Sequence, residues 1–202
     1  MKKLYRWELK DIIMAAILSL FFAVIYLGAV YLASALGAAL APFGLSPFAN
    51  EIIFGVWFMA STLAAYIIQR PGVAIVTEML AALLEVLMGN FYGPIVFVSG
   101  FLQGLGAEAG FAAFRYRRFD MASMCIAALG SCVTSFIWGF FRSGFMQLSP
   151  GLLACMFLVR AVSSLLFAGV LMKLCGDRLA KSGVLKSYPL GVDASLPVAD
   201  TQ

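Results

Sequence analysis

The chain has 202 residues, 63% of them hydrophobic and only 12% charged, with a net charge of +4 and a mean hydropathy of +0.98. A soluble domain does not carry so apolar a composition, so the chain is read as a membrane protein. A spanning helix needs about 20 apolar residues, which leaves room for roughly six or seven passes and excludes a soluble nucleotide-hydrolysing or dehydrogenase domain.

Apolar runs bounded by charge or by Pro/Gly clusters predict six helices. The first runs from Ile12 to Leu40 and stops at Ala41-Pro42-Phe43-Gly44; the second runs from Ile52 to Ile68 and stops at Gln69-Arg70-Pro71-Gly72. The third, Val73 to Met88, ends at Gly89-Asn90-Phe91-Tyr92-Gly93-Pro94 and forms a hairpin with the fourth, Ile95 to Phe114, which ends at Arg115-Tyr116-Arg117-Arg118. The fifth runs from Met121 to Phe141 and the sixth from Gly151 to Leu174. Residues 1–188 form one transmembrane domain, and 189–202 read as a disordered tail. The basic amino terminus precedes an apolar run too long for a signal-peptide core, so that run is kept as a mature helix.

Membrane barrel strands would alternate apolar and polar residues, and these runs do not, so the fold class is an all-α bundle of six transmembrane helices. With six alternating helices, Lys2, Lys3, Arg6, Lys10, Arg70, Arg115, Arg117, Arg118, Lys173, Arg178, Lys181 and Lys186 fall on one side and only Arg142 on the other. That asymmetry places both termini in the cytoplasm. It also accounts for the basic excess without nucleic acid. No internal repeat is visible, which weakens an inverted-repeat transporter.

Cys125, Cys132, Cys155 and Cys175 lie in apolar runs without paired spacing and read as small buried hydrophobes. The chain has no histidine, which excludes thiolate–histidine metal sites and histidine catalysis. A phosphate-binding glycine loop, H-E-x-x-H and G-x-S-x-G are absent, as is a carboxylate cluster fit for magnesium. The expectation is a binding protein with no catalytic residues, metal or cofactor.

Charges inside a bilayer are costly and mark either internal pairs or ligand paths. Glu78, Glu85, Glu108 and Arg160 are the ionisable residues inside the predicted helices. Counting at about 1.5 Å per residue puts Glu78 and Glu108 at similar depth, with Arg160 near the midplane and able to reach them. An ion-pair triad tying helices together and a proton or substrate path are both open readings. Glu85, on the same helix face as Glu78, lies about one turn before Asn90 and Tyr92 with only Arg142 placed to pair with it. A carboxylate, an amide and aromatic rings in an outward-opening pocket suit a small cationic or heteroaromatic ligand. Trp57, Tyr92 and Trp138 near that rim are candidates for stacking or for interfacial anchoring, while Tyr5, Trp7 and Tyr116 lie at the cytoplasmic face. Gln103, near mid-bilayer, needs a hydrogen-bond partner from another helix or a ligand. Ala15, Ser19 and Ala23 form a small-residue stripe on which another helix can pack closely.

The short-looped helices, the Gly89-Asn90-Phe91-Tyr92-Gly93-Pro94 hairpin and Gln103-Gly104-Leu105-Gly106-Ala107-Glu108 resemble the substrate-binding S components of energy-coupling factor (ECF) vitamin transporters. The likeness is to the YkoE-like branch, associated with thiamin or its hydroxymethylpyrimidine precursor, and spans roughly residues 8 to 188. It implies a subunit of the bacterial cytoplasmic membrane that captures a vitamin from outside and docks on a transmembrane scaffold driven by two cytosolic ATPases. In that family a small-residue motif on the first helix meets the scaffold. The matching spacing here is Ala15, Ser19 and Ala23, with serine in the middle as a departure. Glu85, Asn90, Tyr92, Trp138, Gln103, Trp57, Glu78 and Glu108 are then the candidate ligand-binding residues, with the segment from Pro42 to Pro47 as a plausible lid. The rival readings are a stand-alone proton-coupled transporter using Glu78, Glu108 and Arg160, and a purely structural membrane partner.

Overall fold

A computed structural model of the chain describes residues 6–195, and every regular element among them is helical. Helix α1 (Leu9–Leu40) is followed by α2 (Phe48–Ile53), a 3-10 stretch (Phe54–Phe58) and α3 (Met59–Ile68), which run on as one crossing. Then come α4 (Val73–Leu87), α5 (Ile95–Ala113), α6 (Met121–Arg142) and α7 (Pro150–Ser164). A π-helical stretch, Leu165–Leu171, joins α7 to α8 (Met172–Lys181), and α9 (Pro189–Ser195) closes the described chain.

Among the described residues five helical units are long and apolar enough to cross a membrane: Leu9–Phe43, Phe48–Ile68, Ile95–Ala113, Met121–Arg142 and Pro150–Lys181. Helix α4, outside those five units, has 15 residues. At about 22 Å it is shorter than the hydrocarbon layer, and it is packed between α1, α3 and α5 instead of facing lipid along its length. Turns are placed where the sequence has glycine in left-handed conformation, as at Gly72 (φ 87°) before α4 and Gly89 (φ 105°) after it.

The glycines of the Gln103–Glu108 segment serve close packing on two sides of α5. A Cβ on Gly104 would stand 2.7 Å from Ile75 Cα of α4, and one on Gly106 would stand 2.4 Å from the Gly130 carbonyl oxygen of α6. Backbones this near one another admit no side chain between them.

The Ala15, Ser19 and Ala23 stripe corrects the expectation of a docking surface. All three are buried within the chain, and Ser19 Oγ donates to Ala15 O at 2.7 Å and to Thr77 O of α4 at 3.0 Å. Small residues here seat α4 against α1. The outward face of α1 is instead built from Ile13, Ile17, Leu20, Phe21 and Val24.

Two further expectations change. The predicted tail opens with α9, whose Leu190 is buried in the core beside Tyr188 and Leu185; residues 196–202 lie outside the described part, as do Lys2, Lys3 and Tyr5. Of the four cysteines only Cys132 is fully buried, while Cys155 is exposed on the outer face of α7, where lipid takes the place of a protein core.

Candidate ligand-binding site

A cavity of about 540 Å³ opens between α1, the interrupted second crossing, α4, α5, α6 and α7. One wall is the 3-10 stretch Phe54–Phe58, where the helical ladder is broken, so that backbone N–H groups in it and in the first turn of α3 need outside acceptors. They find them on three other helices. Gly55 N–H donates to Ser163 Oγ (3.0 Å), Ala60 N–H to Tyr26 Oη (3.0 Å) and Ser61 N–H to Glu78 Oε2 (2.9 Å). Tyr26 in turn donates its hydroxyl to Glu78 Oε2 at 3.2 Å. Glu78 therefore caps α3 from a distance with one oxygen, as the partial positive charge of a helix start favours. Its other oxygen, Oε1, is buried and accepts no hydrogen bond.

Glu85 lies two turns further along α4 on the same wall. Its Oε1 accepts from Asn90 Nδ2 at 2.8 Å, and Asn90 Oδ1 is itself fixed by the Tyr92 N–H at 2.8 Å. Glu85 Oε2, like Glu78 Oε1, is buried with no donor in hydrogen-bonding geometry, although the Trp57 indole stands close enough to the Glu85 carboxylate to interact with it. Both acids line the cavity, together with Tyr26, Phe54, Trp57, Tyr92, Gln103 and Arg142. The site thus offers two acceptor oxygens on one helix face and several aromatic faces.

On the opposite side Arg160 is engaged by Glu51 through two hydrogen bonds, 2.5 Å from Nε and 2.7 Å from Nη2, while its guanidinium lies 3.7 Å from the Phe54 ring centroid. Both charges are 2% exposed, so this pair is a buried structural contact within the cavity wall.

Three comparisons bear on what such a site belongs to. Residues 10–134 match the family described as "ABC-type cobalt transport system, permease component". The YkoE protein of Bacillus subtilis (strain 168), which carries an HMP/thiamine permease designation, is 44% identical over 185 residues, covering 92% of this chain and 90% of its own length. A crystal structure of an S component of an ECF transporter superposes with a TM-score of 0.88 at 42% identity, covering 93% of each chain. The chain belongs to the YkoE-like S components of ECF transporters. As an S component it is a multi-pass membrane transport protein and not an enzyme. Among its described residues no group of three or more His, Cys, Asp or Glu is placed to hold a metal ion, so the cobalt in the matching family's description has no counterpart in such a cluster here.

The structure brings Glu85, Asn90, Tyr92, Gln103, Trp57 and Glu78 together on one cavity and leaves two candidates outside it. Glu108 accepts from the Gly72 N–H (2.6 Å), the Ala74 N–H (3.1 Å) and the Tyr116 hydroxyl (2.6 Å), so it caps the start of α4 at the other end of the helix. Trp138 sits behind the lining, where its indole N–H donates to Ser99 Oγ at 3.0 Å. The triad of Glu78, Glu108 and Arg160 does not exist, because each group has different partners. Equal depth along a helix fixes height but not direction, which is why the counting suggested it. Glu51, Tyr26, Phe54 and Ser99 were missed as lining residues. A signal for Glu51 was present: a mid-membrane arginine demands a carboxylate, and Glu51 stands next to the second apolar run.

Proposed function

We propose that this S component captures thiamin or its hydroxymethylpyrimidine precursor from the outer side of a bacterial plasma membrane and delivers it to a transmembrane scaffold with cytosolic ATPases. Counting the short α4 as a sixth pass puts both termini in the cytoplasm in this reading, with Lys and Arg gathered at that end. The cavity then opens outward, bordered by Ser46 and Pro47 from the α1–α2 connection and by the α4–α5 loop.

The observation that carries the reading is Glu85 Oε2, a buried acceptor that no donor meets in hydrogen-bonding geometry, set beside the Trp57 indole in a cavity walled by aromatic rings. A buried polar atom left without a partner costs on the order of 1–3 kcal/mol, a deficit that a ligand donor removes. The exocyclic amine of an aminopyrimidine is such a donor, and its flat ring suits the faces of Trp57, Phe54 and Tyr92. Asn90 holds Glu85 in place for it. The HMP/thiamine permease designation of the Bacillus subtilis relative supports the same ligand class.

Calorimetric titration of the detergent-purified protein with thiamin and with hydroxymethylpyrimidine tests the proposal, with riboflavin and biotin as controls. Saturable binding of either pyrimidine, and of neither control, is the expected outcome. Absence of pyrimidine binding overturns the reading.

A further inference from the structure

The cavity's formal charges do not cancel once Glu51 and Arg160 are set against each other. What remains is Glu78, Glu85 and one guanidinium, Arg142, at the last position of α6. Among the described residues Arg142 makes no salt bridge. Its contacts are the Tyr92 ring, with the guanidinium carbon 4.8 Å from the centroid, and a long hydrogen bond from Nη1 to Ser99 Oγ at 3.5 Å. Ser99 is held in turn by the Trp138 indole. Tyr92 is two residues beyond Asn90, whose amide fixes Glu85, so ring, guanidinium and carboxylate share the mouth of the cavity.

A guanidinium over an aromatic face occupies the place that a ligand's cationic ring takes when it uses the same face. It also sets a fixed positive charge beside the two acceptor oxygens, in a half-buried position where solvent screens it incompletely. Removing Arg142 takes that fixed positive charge away from the cavity mouth and leaves the two acids of α4 facing it. We propose that Arg142 is a specificity-determining residue, holding down the cavity's preference for a permanently cationic pyrimidine relative to a neutral one. The inference rests on the reading of the cavity as a thiamin or hydroxymethylpyrimidine site, because those two ligands share the aminopyrimidine and differ by the thiazolium charge.

The test is the ratio of dissociation constants, thiamin over hydroxymethylpyrimidine, measured by calorimetry on the full chain in detergent. Arg142→Gln lowers that ratio at least fivefold, through tighter thiamin binding, whereas Arg142→Lys keeps it within twofold of the unsubstituted protein. Arg142→Met supplies a second neutral side chain should the glutamine variant fail to fold. A ratio that falls less than fivefold in the neutral variants, or rises, overturns the role of Arg142. So does a lysine variant that moves as far as the neutral ones, since shape and not charge would then decide. Binding of neither compound by the unsubstituted protein overturns the reading of the cavity itself, and this proposal with it.

Discussion

Glu51 and Arg160, separated by 109 positions in sequence, meet as a two-pronged pair that joins α2 to α7, with bonds of 2.5 and 2.7 Å. Removing one partner strands a charge in a site that water hardly reaches. Arg160→Met is expected to cost about 3–5 kcal/mol, the range for breaking a buried pair. Replacing both residues, as Glu51→Leu with Arg160→Met, recovers most of that loss. Thermal unfolding of the two single variants and the double variant in detergent checks this, and a double variant no more stable than Arg160→Met contradicts it.

Glu85 and Glu78 separate in their effects, although both line the cavity. Glu85→Gln keeps an acceptor for Asn90 and loses the charge, so the fold survives while aminopyrimidine affinity falls about tenfold, equivalent to about 1.4 kcal/mol. Glu78→Leu leaves the Ser61 N–H and the Tyr26 hydroxyl without their acceptor and lowers stability by about 1–3 kcal/mol. Calorimetry reads the first and the melting temperature the second.

Crowding at the α5–α6 contact makes Gly106 sensitive to any side chain. Gly106→Leu forces the helices apart at Gly130 and is expected to cost 1–3 kcal/mol or about that order, with a lower melting temperature as the readout. Leu105→Ile, on the exposed side of the same turn, should leave the melting temperature nearly unchanged.

Acid stability has one readable contributor at the start of α6. The Ser123 N–H, and after it Arg118, hold the Asp120 carboxyl below its ordinary value of 3.8. A depressed folded-state value means that this capping contribution is present above about pH 4 and is lost as pH falls through the folded-state value. Asp120→Ala is expected to cost about 1 kcal/mol at neutral pH. Asp120→Asn retains the cap and removes this part of the acid sensitivity. Melting temperatures of both variants between neutral pH and pH 3 decide the matter.

Helix limits were legible where Pro and Gly interrupt the apolar runs, as at Gly72 and Gly89, but the last helical unit runs to Lys181, seven residues past the Leu174 at which its apolar run ends. Predicted and observed boundaries of α4, α5 and α6 agree within a residue or so. The 3-10 break at Phe54–Phe58 was not legible, since nothing in that apolar stretch announces it; acceptors on Tyr26, Glu78 and Ser163 make it tolerable, and they come from elsewhere in the chain. For the site, the nearness of Glu85 to Asn90 and Tyr92 followed from their spacing across a helix end, whereas the hydrogen bond from Asn90 to Glu85 emerged only in the structure. The placement of Glu108 and of the Ala15 stripe depended on which way each helix is rotated, and one sequence does not encode that rotation in composition.

The interrupted crossing separates two duties that a continuous helix would merge. Its backbone is anchored by a hydroxyl from α1, a carboxylate from α4 and a second hydroxyl from α7, so the shape of that wall is inherited from its neighbours. The cavity-facing side chains of the stretch, Phe54 and Trp57, can then be exchanged during divergence while Gly55 and the buried Phe58 keep the frame behind them. Ligand repertoire and architecture become separately heritable, one written in the rings that face the cavity and the other in the groups that grip the chain from outside.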